Sequence, residues 1–285
     1  MRIAVCVKQV LDSGVPLRVV DGVVRQEAPW PIAHLGAADR AALEEGLKLA
    51  GNLAGVVTAI SAGQEEAAAA LRFCLARGAD RAVQVARGDD LDPVATALAV
   101  SDLLAGDSFG LVLCGGESGD GGSGRFPAEL AARLDWPLVT AVAAVTLDSD
   151  GLKLERRIEH GDREVVRCGL PAVLAVDPIL AEARYVSVRA RRVAANKPID
   201  LLRGEVSGVD VIGDELIALE PAKPRPKRTS GPAAGLSAMD RLAHAITGGV
   251  QQKQSGGFVE GPPATVAAEI LRFLEERGFT GERRG

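Results

Sequence analysis

A chain of 285 residues, 47% hydrophobic and 25% charged, has the length and apolar content to bury a globular core. Its formal net charge of −5 excludes the electrostatic attraction that nucleic-acid or anionic-membrane binding by the whole chain would need. No apolar run approaches the ~20 residues of a spanning helix, so no membrane insertion is expected and the expected location is cytoplasmic.

In chain order, RIAVCV at 2–7 alternates like a strand and breaks at Lys8, too early for a signal peptide. LRVVDGVVRQ at 17–26 sets Asp21-Gly22 between two valine pairs, a hairpin signal. From Asp39 the spacing of Leu43, Leu47 and Ala50 predicts a helix with Asp39 as its cap, and GVVTAISAG then reads as a buried strand closing on Ala62-Gly63. Ala67, Leu71, Cys74 and Leu75 form the stripe of a second helix ended by Gly78, before a strand holding Val83 and Val85. Asp92-Pro93 supplies a cap and a first-turn proline for a helix through Leu104, and FGLVLC at 109–114 is a fourth strand. This alternation predicts an α/β fold: a parallel sheet wound on right-handed crossovers. Ligands in such sheets bind beyond the carboxyl ends of the strands, which places Ala62-Gly63 and the 115–124 loop at the expected site.

After Trp136-Pro137 the pattern turns to β, with LVTAVAAVTL, LKLERRIEH, REVVR and PAVLAV extending or flanking the same sheet, and Asp148, Asp150-Gly151 and Gly161-Asp162 as turns. From 181 the chain reads as basic and irregular, with few residues to pack a core. The domain is expected to span 1–204, followed by a linker over 205–235 that includes PAKPRPKRTSGPAAG. A C-terminal arm over 236–285 would hold a short amphipathic segment at 239–246 and a final helix carrying Val266, Ile270, Phe273 and Leu274.

The sharpest local feature is CGGESGDGGSGRFPAELAARL at 114–134, a strand, a glycine-dense loop and a helix with Pro127 in its first turn. Glycines let backbone N–H groups approach a phosphate, and the helix start adds free N–H groups and the positive end of its dipole. The loop is neither a Walker A sequence nor a Rossmann G-x-G-x-x-G, so ATPase and NAD readings lose their usual support. Cys6, Cys74, Cys114 and Cys168 sit singly in apolar segments and read as buried small hydrophobes, and His34, His160 and His244 are dispersed without a nucleophile or metal motif. Glu44-Glu45 and Glu65-Glu66 read as solvated helix faces.

Over about residues 1–200 the chain resembles the electron-transfer flavoprotein β-subunit family, including its fix-operon and flavin-bifurcating relatives. The resemblance is carried by VCVKQVLD at the start, DRAALEE at 39–45, LRFCLARGADRAVQV at 71–85, LDWP at 134–137 and RRIEHGDREVVRCGLPAVLA at 156–175. It implies a fold like that of adenine-nucleotide α-hydrolases and a heterodimer with an α subunit that holds most of the FAD. It also implies AMP, or in bifurcating members a second FAD, in a pocket matching Cys6, Gly36 to Asp39, Ala62-Gly63, Cys114 and the loop of Gly115, Gly116, Asp120, Gly121, Gly122, Ser123, Gly124, Arg125 and Phe126. Two departures stand out: Gly36-Ala37-Ala38 where the family has N-P-[FY], and Arg125-Phe126-Pro127 where it has Q-T-G or Q-V-G, which leaves Arg125 as a direct phosphate contact. In the family the segment matching 181–197 docks dehydrogenases through an apolar anchor at the position of Val188. The resemblance therefore implies that Arg184, Tyr185, Val188, Arg189, Arg191 and Arg192 dock a donor dehydrogenase. Electrons would pass through FAD to a downstream quinone reductase or other acceptor, and the chain itself would be an electron carrier subunit rather than an enzyme. An adenine-nucleotide-binding regulator or hydrolase on the same fold remains the alternative.

Overall fold

A computed structural model describes residues 1–11, 17–20, 23–26, 33–63, 65–86, 92–148, 151–203, 237–239, 241–242 and 259–277. The opening strand β1 (Arg2–Cys6) leads into the short strands β2 (Gln9–Leu11), β3 (Leu17–Val20), β4 (Val23–Gln26) and β5 (Ala33–Leu35). Then come α1 (Ala37–Leu53), β6 (Val56–Ala62), α2 (Glu65–Arg77), β7 (Arg81–Ala86), α3 (Pro93–Ala105), β8 (Phe109–Gly115) and α4 (Arg125–Leu134). The second half adds β9 (Leu138–Asp148), β10 (Gly151–Arg157), β11 (Arg163–Cys168), β12 (Ala172–Val176), α5 (Val188–Ala195) and β13 (Asp200–Arg203). A helix α6 (Pro263–Glu276) lies in a separate compact unit, the chain dividing between Pro221 and Ala222.

The main sheet has nine strands in the order β11-β10-β9-β12-β8-β1-β6-β7-β13. From β9 to β13 neighbouring strands run parallel, and only the β9-β10-β11 meander is antiparallel. The fold is therefore the α/β, mostly parallel, Rossmann-like architecture that alternating strands and helices predict, and the later strands join the same sheet. The hairpin read at 17–26 forms as the β3-β4 pair, although its Asp21-Gly22 turn lies outside the described residues.

Side chains alternate across β1, so Ile3 and Val5 face α1 and α2 while Ala4 and Cys6 face α3 and α4. Each face is filled by small aliphatics. Gly46 of α1 lets that helix rest on β1, since a Cβ there would meet Val5 Cγ2 at 2.8 Å. Leu111 and Leu113 of β8, both fully buried, anchor the sheet centre on the α1 side. All four cysteines are buried, as their apolar settings predict. Gly78 follows α2 with φ +119°, consistent with its expected role in ending that helix.

Three expectations are corrected. The stretch after 181 is not wholly irregular: Ser187 caps α5 by accepting from Ala190 N, and Ala194 is buried against α2. Arg72 Nη1 of α2 donates to Ala194 O at 2.9 Å and also to Lys197 O. Beyond it β13 adds a parallel edge to β7. Glu44 and Glu45 are not freely solvated: Glu45 is 1% exposed beside Lys48, and Glu44 is bound by Arg184. Finally, α1 begins at Ala37 with Gly36 as its N-cap and no side-chain cap, so Asp39 falls inside the first turn and does other work. The 205–235 linker, the side chains of Glu65 and Glu66, and most of 239–246 lie outside the described residues.

Candidate functional site

The strands β1, β6 and β8 end side by side, and beyond their carboxyl ends opens a cleft of about 280 Å³. Cys6, Ile60, Ala62 and Cys114 come to it from the strand ends, and Pro93, Thr96 and Val100 from the first turns of α3. The opposite wall is the loop after β8, with Gly115, Gly116, Glu117, Ser118, Gly121, Ser123 and Gly124, continued by Phe126 and Pro127 of α4. Lys8 and Asp39 complete the lining. Cys6 and Cys114 are partners in the parallel register of β1 and β8. Burial, with the Asp39 charge behind it, pushes the Cys6 thiol up to about 12, and burial likewise holds Cys114 well above the ordinary thiol value. Both thiols therefore stay neutral, and the floor is an apolar bed suited to a flat ring.

Asp39 is the organising residue. Its Oδ2 accepts from Lys8 N at 2.8 Å and its Oδ1 from Gly115 N at 3.1 Å, so one carboxylate of α1 ties the ends of β1 and β8 together. Gly115 is required for this approach, because a Cβ there would stand 2.5 Å from Asp39 Oδ1. Asp39 is 8% exposed. Burial raises its pKa from 3.8 to about 6 despite the two backbone N–H donors and the Lys8 charge.

The loop from Gly115 to Gly124 is held by its own polar atoms. Ser118 Oγ accepts from Gly121 N at 3.2 Å and Gly122 N at 3.3 Å, and Gly122 and Gly124 take φ +60° and +63°. Lys8 Nζ donates to Asp120 Oδ1 at 2.7 Å across the cleft mouth. Burial alone would raise Asp120, but hydrogen bonds from Lys8 and Ser118 and the Lys8 charge hold its carboxyl below the usual range. Gly124 is the N-cap of α4 and no side chain caps that helix, so its first N–H groups are left to the loop side.

Of the residues singled out by sequence, Cys6, Asp39, Ala62, Cys114, Gly115, Gly116, Gly121, Ser123, Gly124 and Phe126 come together around this cleft. Gly36, Gly63, Asp120, Gly122 and Arg125 lie outside its lining. Gly36 starts α1, Gly63 turns out of β6 with φ +146°, and Arg125 Nη2 lies 3.6 Å from Glu129 Oε1 along α4. Sequence reasoning missed Lys8, Pro93, Thr96 and Val100. The Asp92-Pro93 start of α3 was the available signal, since Asp92 caps Val94 N and Ala95 N and fixes the helix end that lines the cleft.

The basic segment forms a second surface. Arg184 is committed internally: its Nε and Nη2 donate to the Glu44 carboxylate at 2.7–2.9 Å and its backbone N donates to Glu44 Oε2 at 3.1 Å. Tyr185 is 87% exposed and Val188 63% exposed, and Arg189, Arg191 and Arg192 are exposed on α5.

The family model described as "Electron transfer flavoprotein domain" matches residues 32–203. The chain is 29% identical over 278 residues to the electron transfer flavoprotein subunit beta of Bacillus subtilis, covering 96% of this chain and 97% of that one. It is 32% identical over 244 residues to the human protein of the same name, covering 81% and 91% of the two chains. A mitochondrial electron transfer flavoprotein subunit beta of Oryza sativa subsp. indica is 32% identical over 247 residues, covering 85% and 96%.

Proposed function

The chain belongs to the electron transfer flavoprotein family, and from that premise we propose that it is the β subunit of a heterodimer whose α subunit holds most of one FAD. In this reading it carries electrons from a donor dehydrogenase to a downstream quinone reductase or other acceptor, and works in the cytoplasm. Among the described residues no helix is long and apolar enough to cross a membrane. The flavin supplies the redox chemistry when bound, and the protein supplies orientation, electrostatics and docking.

The observation that carries the reading is the cleft at the strand ends, assembled around Asp39 and the 115–124 loop within the matched stretch. Its chemistry fits AMP. Cys6, Ile60 and Cys114 offer a neutral floor for the adenine, while the glycine loop and the uncapped start of α4 offer N–H groups to the phosphate. A volume of about 280 Å³ lies at the small end of ligand cavities and favours a mononucleotide over a second FAD. Lys8, held by Asp120, would place one positive charge at the cleft mouth.

In the same reading Tyr185 and Val188 present the apolar contact for a dehydrogenase, and Arg189, Arg191 and Arg192 steer an acidic partner surface toward it. Arg184 serves this surface indirectly, by fastening the segment to Glu44 of α1. The helix α6, with Ile270, Leu271 and Phe273 each about half exposed, is the element offered to the α subunit through the 205–235 linker. Ligand released by denaturing the purified chain, separated by chromatography and identified by mass, tests the cleft assignment. AMP is expected; release of FAD alone, or of no adenine nucleotide, would overturn it.

A further inference from the structure

The helix α3 turns one face to the strand-end cleft: Pro93, Thr96 and Val100 stand three and four residues apart and so share a side of the helix. Asp92 fixes that face by accepting from Val94 N at 2.6 Å and Ala95 N at 3.2 Å. The cleft is divided in its chemistry. Toward the 115–124 loop it offers Lys8, Ser118, Ser123 and the glycine N–H groups. Toward the strand ends and α3 it offers Cys6, Ile60, Cys114, Pro93 and Val100, and among the described residues Thr96 is the one hydroxyl on that apolar side.

A purine resting on this bed has apolar faces, but its edge carries ring nitrogens and, in adenine, an amino group. Burying such an edge without partners is costly, so the walls around the bed need a donor and an acceptor. Main-chain donors at the strand ends are already spent. Val7 N donates to Ile60 O at 2.9 Å, Lys8 N and Gly115 N to the Asp39 carboxylate, and Gly116 N to Val176 O at 3.3 Å. Thiols are weak hydrogen-bonding groups, and Cys114 Sγ is turned to Leu174 O at 3.8 Å. Thr96 is half-buried, and among the described residues its hydroxyl has no hydrogen-bond partner. A hydroxyl is a donor and an acceptor at once, so one group can serve a ring nitrogen and the amino group beside it.

We propose that Thr96 is the side chain that selects the base in this cleft, its hydroxyl donating to a ring nitrogen of adenine and accepting from the neighbouring amino group. The proposal rests on the reading that the cleft holds AMP, and it names the residue that distinguishes adenine from a purine lacking the amine.

The test is equilibrium dialysis of the full-length chain with labelled AMP, displaced by unlabelled AMP or by purine riboside monophosphate, which keeps the ring nitrogens and lacks the amino group. Wild type is expected to prefer AMP by roughly 3- to 10-fold, the worth of one neutral hydrogen bond. Thr96→Val, which keeps the shape and removes the hydroxyl, should bind both ligands alike, and Thr96→Ser should restore the preference. Thr96→Ala is the second variant without the hydroxyl, should valine at this position disturb folding as read by circular dichroism. A change in packing alone would weaken both ligands together and leave their ratio as in wild type. Valine and alanine variants that keep the wild-type ratio would therefore overturn the proposal while leaving the AMP reading intact. Failure of wild type to bind labelled AMP would remove that reading, and the assignment of Thr96 with it.

Discussion

Asp39→Asn is the most informative single change, because it separates the charge of this residue from its place in the fold. The carboxylate sits among the ends of β1 and β8 and the start of α1, facing Lys8 and Asp120 as charged neighbours and the thiols of Cys6, Cys74 and Cys114. Burial raises its pKa from 3.8 to about 6, an interval equivalent to ~3 kcal/mol between the two protonation states. The folded value lies above the unfolded one. The folded chain thus holds this proton more tightly, and the associated stability is fully present below the unfolded value and lost as pH rises through about 6. Between pH 7.5 and 5 the wild type should gain ~1.4 kcal/mol from this group. Asparagine keeps an acceptor for one of the two backbone N–H groups but cannot titrate. Glu45, also raised, and Glu44, lowered, are not among the groups acting on Asp39 and contribute equally to both proteins, whereas the Asp120 charge helps raise Asp39 and is part of the difference being measured. The assay is urea unfolding of both proteins at pH 5, 6 and 7.5, read as the difference between their stabilities. A difference that does not change with pH would refute the burial argument for Asp39.

Three further changes test the site and its frame. Gly115→Ala places a methyl 2.5 Å from Asp39 Oδ1 and 3.0 Å from Ala38 Cβ, so it should cost ~1–3 kcal/mol and empty the cleft of nucleotide, measured by unfolding and by ligand release. Asp120→Asn breaks the 2.7 Å pair with Lys8 at a partly exposed position; stability should fall by ~0–1 kcal/mol, while nucleotide retention during gel filtration should fall clearly. Leu113→Ala, at a fully buried position in β8, should cost ~2–5 kcal/mol in thermal or urea unfolding without altering the cleft lining.

Much of the fold is legible because periodicity and punctuation agree: the strands β1, β6 and β8 are apolar runs closed by Lys8, Gly63 and Gly115, β7 carries Val83 and Val85, and Asp92-Pro93 marks the start of α3. The helix α5 is hidden because VRARRVAA buries only Ala194, so a short helix stabilised by one packed residue, a Ser187 cap and Arg72 leaves almost no hydrophobic signal. The strand β13 is hidden similarly, since Leu201 and Leu202 at the sheet edge are 56% and 40% exposed. Asp39 reads as a cap because an acid before a helical stripe usually is one. That its carboxylate instead serves two strand ends 31 and 76 residues away in sequence is tertiary information. The same holds for Thr96 and Lys8, whose roles in the cleft depend on three strands ending at one level.

The most direct measurement is co-expression of the full-length chain with an electron transfer flavoprotein α subunit from the same source, followed by gel filtration with the flavin absorbance monitored. The account predicts an equimolar complex that carries bound FAD reducible by a dehydrogenase. A chain that elutes alone and colourless, leaving the α subunit behind, would contradict it.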